Sequence, residues 1–204
     1  MVKLALLLFL LFLNISLFGQ NQNDFEFIDT QTNGNQSLSI TKYIGNNVNV
    51  IIPESINGIP VTSIGYKAFE QSNIETVEMS NNIISIGRDA FRGSRELTAV
   101  FISRSVINIG RDASGPVGIG IYGLDLIFDG CNKLTSINVD PDNPKYSSIE
   151  GVLFNKQMTT LIFYPHGKAG GYNVPSSLQE ELKTRFPTAF DLPMDIVFLV
   201  DGGA

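Results

Sequence analysis

Apolar residues recur along this chain in a fixed phrase. Val61-Thr-Ser-Ile-Gly-Tyr-Lys-Ala-Phe69 returns as Ile83-Ile-Ser-Ile-Gly-Arg-Asp-Ala-Phe91, and again, broken, as Val106-Ile-Asn-Ile-Gly-Arg-Asp-Ala113. A second phrase lies between the copies. Ile74-x-x-Val77-x-Met79, Leu97-x-x-Val100-x-Ile102 and Leu134-x-x-Ile137-x-Val139 share one apolar spacing. Ile74 to Leu97, Val77 to Val100 and Ile86 to Ile109 are each 23 residues. A fixed period of this kind marks stacked units, each too small to bury its own apolar face. Val100 and Ile102 stand two apart, the spacing of a strand with both side chains on one face. Val106-x-x-Ile109 is a second short segment that returns along the other side of the unit. The prediction is a mainly β repeat solenoid with units of about 23 residues. The glycines after isoleucine (Gly65, Gly87, Gly110) mark places that need positive φ or close backbone approach.

The ends of the array read differently. Phe25, Phe27 and then Leu38, Ile40 flank Thr32-Asn33-Gly34-Asn35. Asn-Gly between alternating runs predicts a β-hairpin, which would close the first unit over residues 20–47. Ser55-Ile-Asn-Gly-Ile-Pro60 holds a second Asn-Gly turn. The regular array runs over 48–177. After Ser177 the phrase stops. Ser177 and Glu180 form a capping box, and Leu178, Leu182 and Phe186 share one helical face before Pro187. Ile196–Val200 reads as a short buried strand. Residues 178–204 therefore read either as a C-terminal cap of helix and strand or as the remnant of a further domain. Pro193–Gly202 faintly resembles the first strand of a von Willebrand factor A domain, but Gly203 stands where the first metal-binding serine of that family would be.

The third copy is interrupted. Ala113 is followed by Ser114, and the expected Phe returns only as Phe128, with Asp-Gly-Cys-Asn-Lys-Leu134 after it. The extra residues, 114–127, number 14. Insertions in repeat arrays map to loops, and this one is apolar for an exposed loop. Val117, Ile119, Ile121, Tyr122 and Leu124 are its candidate ligand-contact residues, with Tyr122 as an aromatic anchor. The alternative is that they pack on the solenoid.

Composition narrows the function classes. The 204 residues carry a net charge of -6 and a pI near 4.7. A nucleic-acid binder needs a basic face, so that partner is not expected. Lys3 followed by the apolar run 4–18 and the small Gly19 reads as a signal peptide over 1–19. The competing reading is an uncleaved anchor, but the run is shorter than the about 20 residues of a membrane span. There is one cysteine, Cys131, and one histidine, His166. No intrachain disulfide can form.

The phrases as a set carry a resemblance. Ile51-Ile-Pro53 with Ile59-Pro-Val-Thr-Ser-Ile-Gly65 and Ala68-Phe69, Phe128-Asp-Gly-Cys131 with Leu134-Thr-Ser-Ile137, and Asn143-Pro-Lys-Tyr146 through Gly151-Val-Leu-Phe-Asn155 to Thr160–Pro165 are the matching residues. They resemble the bacterial leucine-rich-repeat surface proteins of the BspA, or Treponema pallidum, type, over roughly Phe25 to Ser177. The resemblance implies a leucine-rich-repeat solenoid, cell-surface or secreted placement, and adhesion to host matrix or other cells through protein–protein contacts. Asparagines form a ladder after the strand in other subfamilies. Here those places hold Asn82, Ser105 and Asp142, so the ladder is not kept as asparagine.

Chemistry is tempting at four places and is declined at each. Gly118-Ile-Gly120-Ile-Tyr-Gly123 fits G-x-G-x-x-G but has no strand, helix and distal acid around it. Asp140-Pro-Asp-Asn-Pro144 lacks the glycine and distal glutamate of a calcium loop and reads as a structural turn. His166 has no second histidine and reads as a surface residue. Cys131 takes the place of Ser94 in its unit, a site for a small, partly buried side chain. No cofactor, metal site or catalytic set is expected. The leading function is an exported, non-catalytic protein-binding module. The alternatives are a self-assembling envelope component and, more remotely, a secreted enzyme.

Overall fold

The computed structural model describes residues 22–110 and 127–168. The expected signal segment, the expected insertion up to residue 126 and the expected C-terminal helix and strand lie outside the described residues. Within them the chain runs through β1 (Phe25–Thr32), β2 (Asn35–Tyr43), β3 (Asn49–Ile51), β4 (Ser55–Ile56) and β5 (Ile59–Ile64). The units proper follow with β6 (Thr76–Glu78), β7 (Ser85–Ile86), β8 (Ala99–Ile102), β9 (Asn108–Ile109) and β10 (Ser136–Val139). A last group is β11 (Tyr146–Ile149), β12 (Val152–Asn155) and β13 (Leu161–Phe163).

The period of the sequence becomes two parallel stacks. One is ordered β10-β8-β6-β3 and the other β1-β2-β5-β7-β9, with β4 attached to β5. Each repeat unit contributes one short strand to each stack, one from each of its two phrases. The register is set by the apolar period: Val50, Val77, Val100 and Ile137 are successive partners in the first stack. Ile64, Ile86 and Ile109 are successive partners in the second. All seven are buried. A slip by one residue would turn each of these side chains to solvent, so burial fixes the pairing.

The expected N-terminal hairpin is present. β1 pairs antiparallel with β2, and β2 then pairs parallel with β5, so the hairpin extends the second stack. Asn33 and Gly34 have φ of 51° and 78°, as a two-residue turn between twisted strands requires. Asn57 and Gly58 repeat the pattern between β4 and β5 at 52° and 81°. A third turn, Glu150-Gly151 at 50° and 80°, joins β11 to β12. Gly110 takes φ 77°, whereas Gly65 and Gly87 serve close approach: a Cβ on Gly87 would lie 2.7 Å from the Gly65 carbonyl carbon.

Between the stacks runs a column of rings. Phe25, Tyr43, Phe69, Phe91, Phe128 and Phe163 follow one another at centroid separations of 5.4, 5.4, 5.2, 5.5 and 5.2 Å. These spacings suit offset and tilted aromatic pairs. Phe128 stacks on Phe91 as Phe91 stacks on Phe69, so the array resumes in register beyond the insertion. Ile127, the last residue of the expected 114–127 insertion, takes the place in the framework that Ala90 holds one unit earlier. It is buried, and its carbonyl accepts the Phe91 N–H at 3.1 Å as the Ala90 carbonyl accepts the Phe69 N–H at 2.7 Å.

Candidate interaction surface

The stack β3-β6-β8-β10 buries one face and presents the other. In each strand the residue next to the buried partner points outward by the alternation of the pleat. This places Ile51, Glu78, Phe101 and Asn138 side by side across four strands. Two of them are large and apolar: Ile51 is 51% exposed and Phe101 is 44% exposed. A groove of about 550 Å³ lies along this row and the strand ends beside it. Met79, Ile102 and Val139 contribute to its apolar floor, and Glu54, Glu78 and Asp140 line it with carboxylates.

Carbonyl groups at the strand ends are satisfied by side chains of the next unit along the groove rim. Ser80 Oγ donates to the Pro53 carbonyl at 3.4 Å and Ser103 Oγ to the Ser80 carbonyl at 2.9 Å. Asn143 closes this line: its fully buried amide donates to the Ser103 and Val106 carbonyls at 2.8 and 2.9 Å. Its Oδ1 accepts the N–H groups of Lys145 and Tyr146. The places expected to hold the ladder also bond between units. Asn82 donates to the Glu54 carbonyl at 3.0 Å, and Ser105 Oγ donates to the Asn81 carbonyl. At Ser105 the asparagine identity is lost while the inter-unit bond is kept. Asp142 departs from it and instead donates its N–H to Asp140 Oδ1 at 2.8 Å, an Asx turn.

On the opposite stack Tyr66 is exposed, with Lys67 Nζ and Arg88 Cζ each 5.4 Å from its ring centre. Lys67 is held by Glu70 at 2.7 Å, and that hydrogen bond raises its pKa above the ordinary lysine value. His166 is exposed, as expected of a surface residue, and its ring stacks on Phe163 at 5.5 Å to extend the aromatic column. Cys131 is fully buried rather than partly, and burial pushes its thiol up to about 12. Among the described residues no group of three His, Cys, Asp or Glu side chains could hold a metal ion.

The insertion residues Val117, Ile119, Ile121, Tyr122 and Leu124 lie outside the described residues. The outward row Ile51, Glu78 and Phe101 was not singled out from the sequence. Its signal was there: in Val100-Phe-Ile102 an aromatic residue occupies the outward place of the alternation, where a buried role is excluded by its neighbours.

Six copies of the BspA type leucine rich repeat region match residues 35–114, so this segment of the chain is similar to that family. No curated protein matches the chain. Among solved structures, the chain is similar to a Treponema pallidum leucine-rich-repeat protein at 24% identity and a TM-score of 0.45, over 56% of this chain and 47% of that one. It is similar to a leucine-rich cell surface protein of Faecalibacterium prausnitzii at 18% identity and 0.36, over 76% and 64%. It is also similar to the pneumococcal vaccine antigen PcpA at 17% identity and 0.42, over 76% and 58%. The chain thus spans less than two thirds of each of these proteins.

Proposed function

We propose that this protein is an exported binding module that holds a protein ligand across the outward face of β3-β6-β8-β10. The observation that carries the reading is the exposure of Phe101 and Ile51 in register with Glu78 on an internally hydrogen-bonded sheet. Exposed aromatics on a fixed scaffold supply contact area at little cost in ordering. A solenoid presents such a row as a continuous strip. Export is supported by the apolar run 4–18 behind Lys3. Adhesion to host matrix or to other cells is the biological form that the family resemblance suggests. The apolar insertion residues from Val117 to Leu124 are proposed as a second contact.

The test is a surface-plasmon-resonance screen of residues 20–204 against purified matrix proteins and isolated cell-surface fractions. Each hit is repeated with Phe101→Asp. Loss of binding with an unchanged thermal melt supports the reading. Hits that bind Phe101→Asp and Glu78→Arg as tightly as the parent protein would move the binding surface elsewhere.

A further inference from the structure

The chemistry of the groove identifies the kind of segment it fits, given the reading of this face as the binding surface. Three carboxylates line it, Glu54, Glu78 and Asp140, and no lysine or arginine does. Glu54 and Glu78 are exposed and form no ion pair among the described residues, so their charge faces whatever lies in the groove. Arg104 and Lys156 are not among the residues that line the groove. Arg104 follows Ser103 at a strand end, and Lys156 donates to the Pro141 carbonyl at 2.7 Å.

Spacing adds a second constraint. Strands in a sheet lie about 4.8 Å apart, so Ile51 and Phe101, two strands apart, are roughly 10 Å from each other. Glu78 stands midway between them. A segment in the extended polyproline-II conformation advances about 3.1 Å per residue and brings every third side chain back to the same side, so residues i and i+3 cover about the same distance on one face. We propose that the groove takes a positively charged segment of a partner protein in the extended polyproline-II conformation, with apolar side chains at i and i+3 on one side and lysine or arginine between them. The apolar pair seats against Ile51 and Phe101, and the cations meet Glu78 and the flanking Glu54 and Asp140.

The experiment uses residues 20–204 and fluorescein-labelled peptides with two copies of Leu-Lys-Arg-Leu, against matched peptides carrying Leu-Glu-Asp-Leu, read by fluorescence polarisation. The basic peptide is expected to bind at least about tenfold more tightly than the acidic one, because like charges across a contact are repelled. Its binding should weaken as sodium chloride rises from about 50 to about 500 mM. Glu78→Arg should weaken it by about fivefold or more, and Phe101→Ala by about tenfold. Both side chains are exposed, so thermal melts of the variants should match the parent. If neither peptide binds, or both bind equally, the inference is overturned. Acidic-peptide binding that Phe101→Ala abolishes would keep the binding face and reject the basic ligand. Basic-peptide binding that Glu78→Arg and Phe101→Ala leave unchanged would reject both.

Discussion

Cys131 Sγ donates to the Phe91 carbonyl oxygen at 3.0 Å, the bond that Ser94 Oγ makes to the Phe69 carbonyl at 2.6 Å one unit earlier. Ser72 Oγ also donates to the Phe69 carbonyl, at 3.0 Å, and lies 3.1 Å from Ser94 Oγ. A small hydrogen-bonding side chain is therefore the rule at this corner, and the cysteine is a structural substitute for serine. Cys131→Ser should leave the thermal melt within a few degrees of the parent, since size and donor are both kept. The thiol should resist iodoacetamide in the native protein at pH 8 and react once guanidinium unfolds the chain. The pH dependence has a defined sign. Burial raises the folded thiol from 9.0 to about 12, so the folded state holds its proton more tightly than the unfolded one. The associated stability is complete below pH 9 and is lost as pH rises from about 9 to about 12. In Cys131→Ser this part of the alkaline loss should vanish from denaturant titrations.

The aromatic column links every unit to the next, and Phe91 sits at its centre. It stacks on Phe69 at 5.2 Å and on Phe128 at 5.5 Å, and is fully buried. Phe91→Ala removes both ring contacts and leaves a cavity, at a cost of about 3–5 kcal/mol. Phe91→Leu keeps much of the volume and should cost less. Guanidinium unfolding curves of the two variants check the order, and equal midpoints would mean that filling the volume without a ring recovers nothing, so that the loss lies in the ring contacts.

Asn143 tests whether the line of side-chain bonds along the groove rim is structural. Both atoms of its amide are used, as donor to two carbonyls and acceptor from two N–H groups. Asn143→Asp turns the donor into a carboxylate oxygen facing the Ser103 and Val106 carbonyls. Removing a buried partner costs about 1–3 kcal/mol, and more when a charge is left unpaired. The loss should be smaller near pH 4, where a protonated carboxyl can donate once. Comparing melts of Asn143→Asp at pH 4 and pH 7 with those of the parent decides it.

These residues show what a linear reading can reach. The two stacks were legible because the unit length is carried by buried residues: Val77 and Val100, Ile86 and Ile109 each keep their spacing under the demand of one core. The hairpin at Asn33-Gly34 was legible because the turn's positive φ selects those residues. Glu150-Gly151 adopts the same turn with a residue less suited to positive φ, and its sequence signal is correspondingly weak. The binding row was harder to see. The outward places Ile51, Glu78, Phe101 and Asn138 answer to no packing constraint, so they vary freely, and only the register of four strands brings them together. Asn143 was legible as a turn residue, but its reach to Ser103 crosses to another unit.

The insertion is the place where the sequence and the framework can be set against each other. Ala113 precedes it as Ala90 precedes Phe91, yet Ile127 is the buried residue whose carbonyl accepts the Phe91 N–H. Two excisions of equal length separate these roles. Removing 113–126 joins Asp112 to Ile127 and keeps the buried isoleucine. Removing 114–127 joins Ala113 to Phe128 and restores the Asp-Ala-Phe phrase of residues 89–91. Both should fold, because loops between units are weakly coupled to the stack. The first should be more stable by about 2 kcal/mol or more, the usual cost of replacing a buried isoleucine with alanine. Equal stability would mean that the unit accepts either residue at this corner. Binding gives an independent reading of the same pair. If Val117, Ile119, Ile121, Tyr122 and Leu124 contact the ligand, both excisions should weaken binding by a similar factor. Unchanged affinity in both would remove the insertion from the binding surface and leave the sheet face to account for it alone.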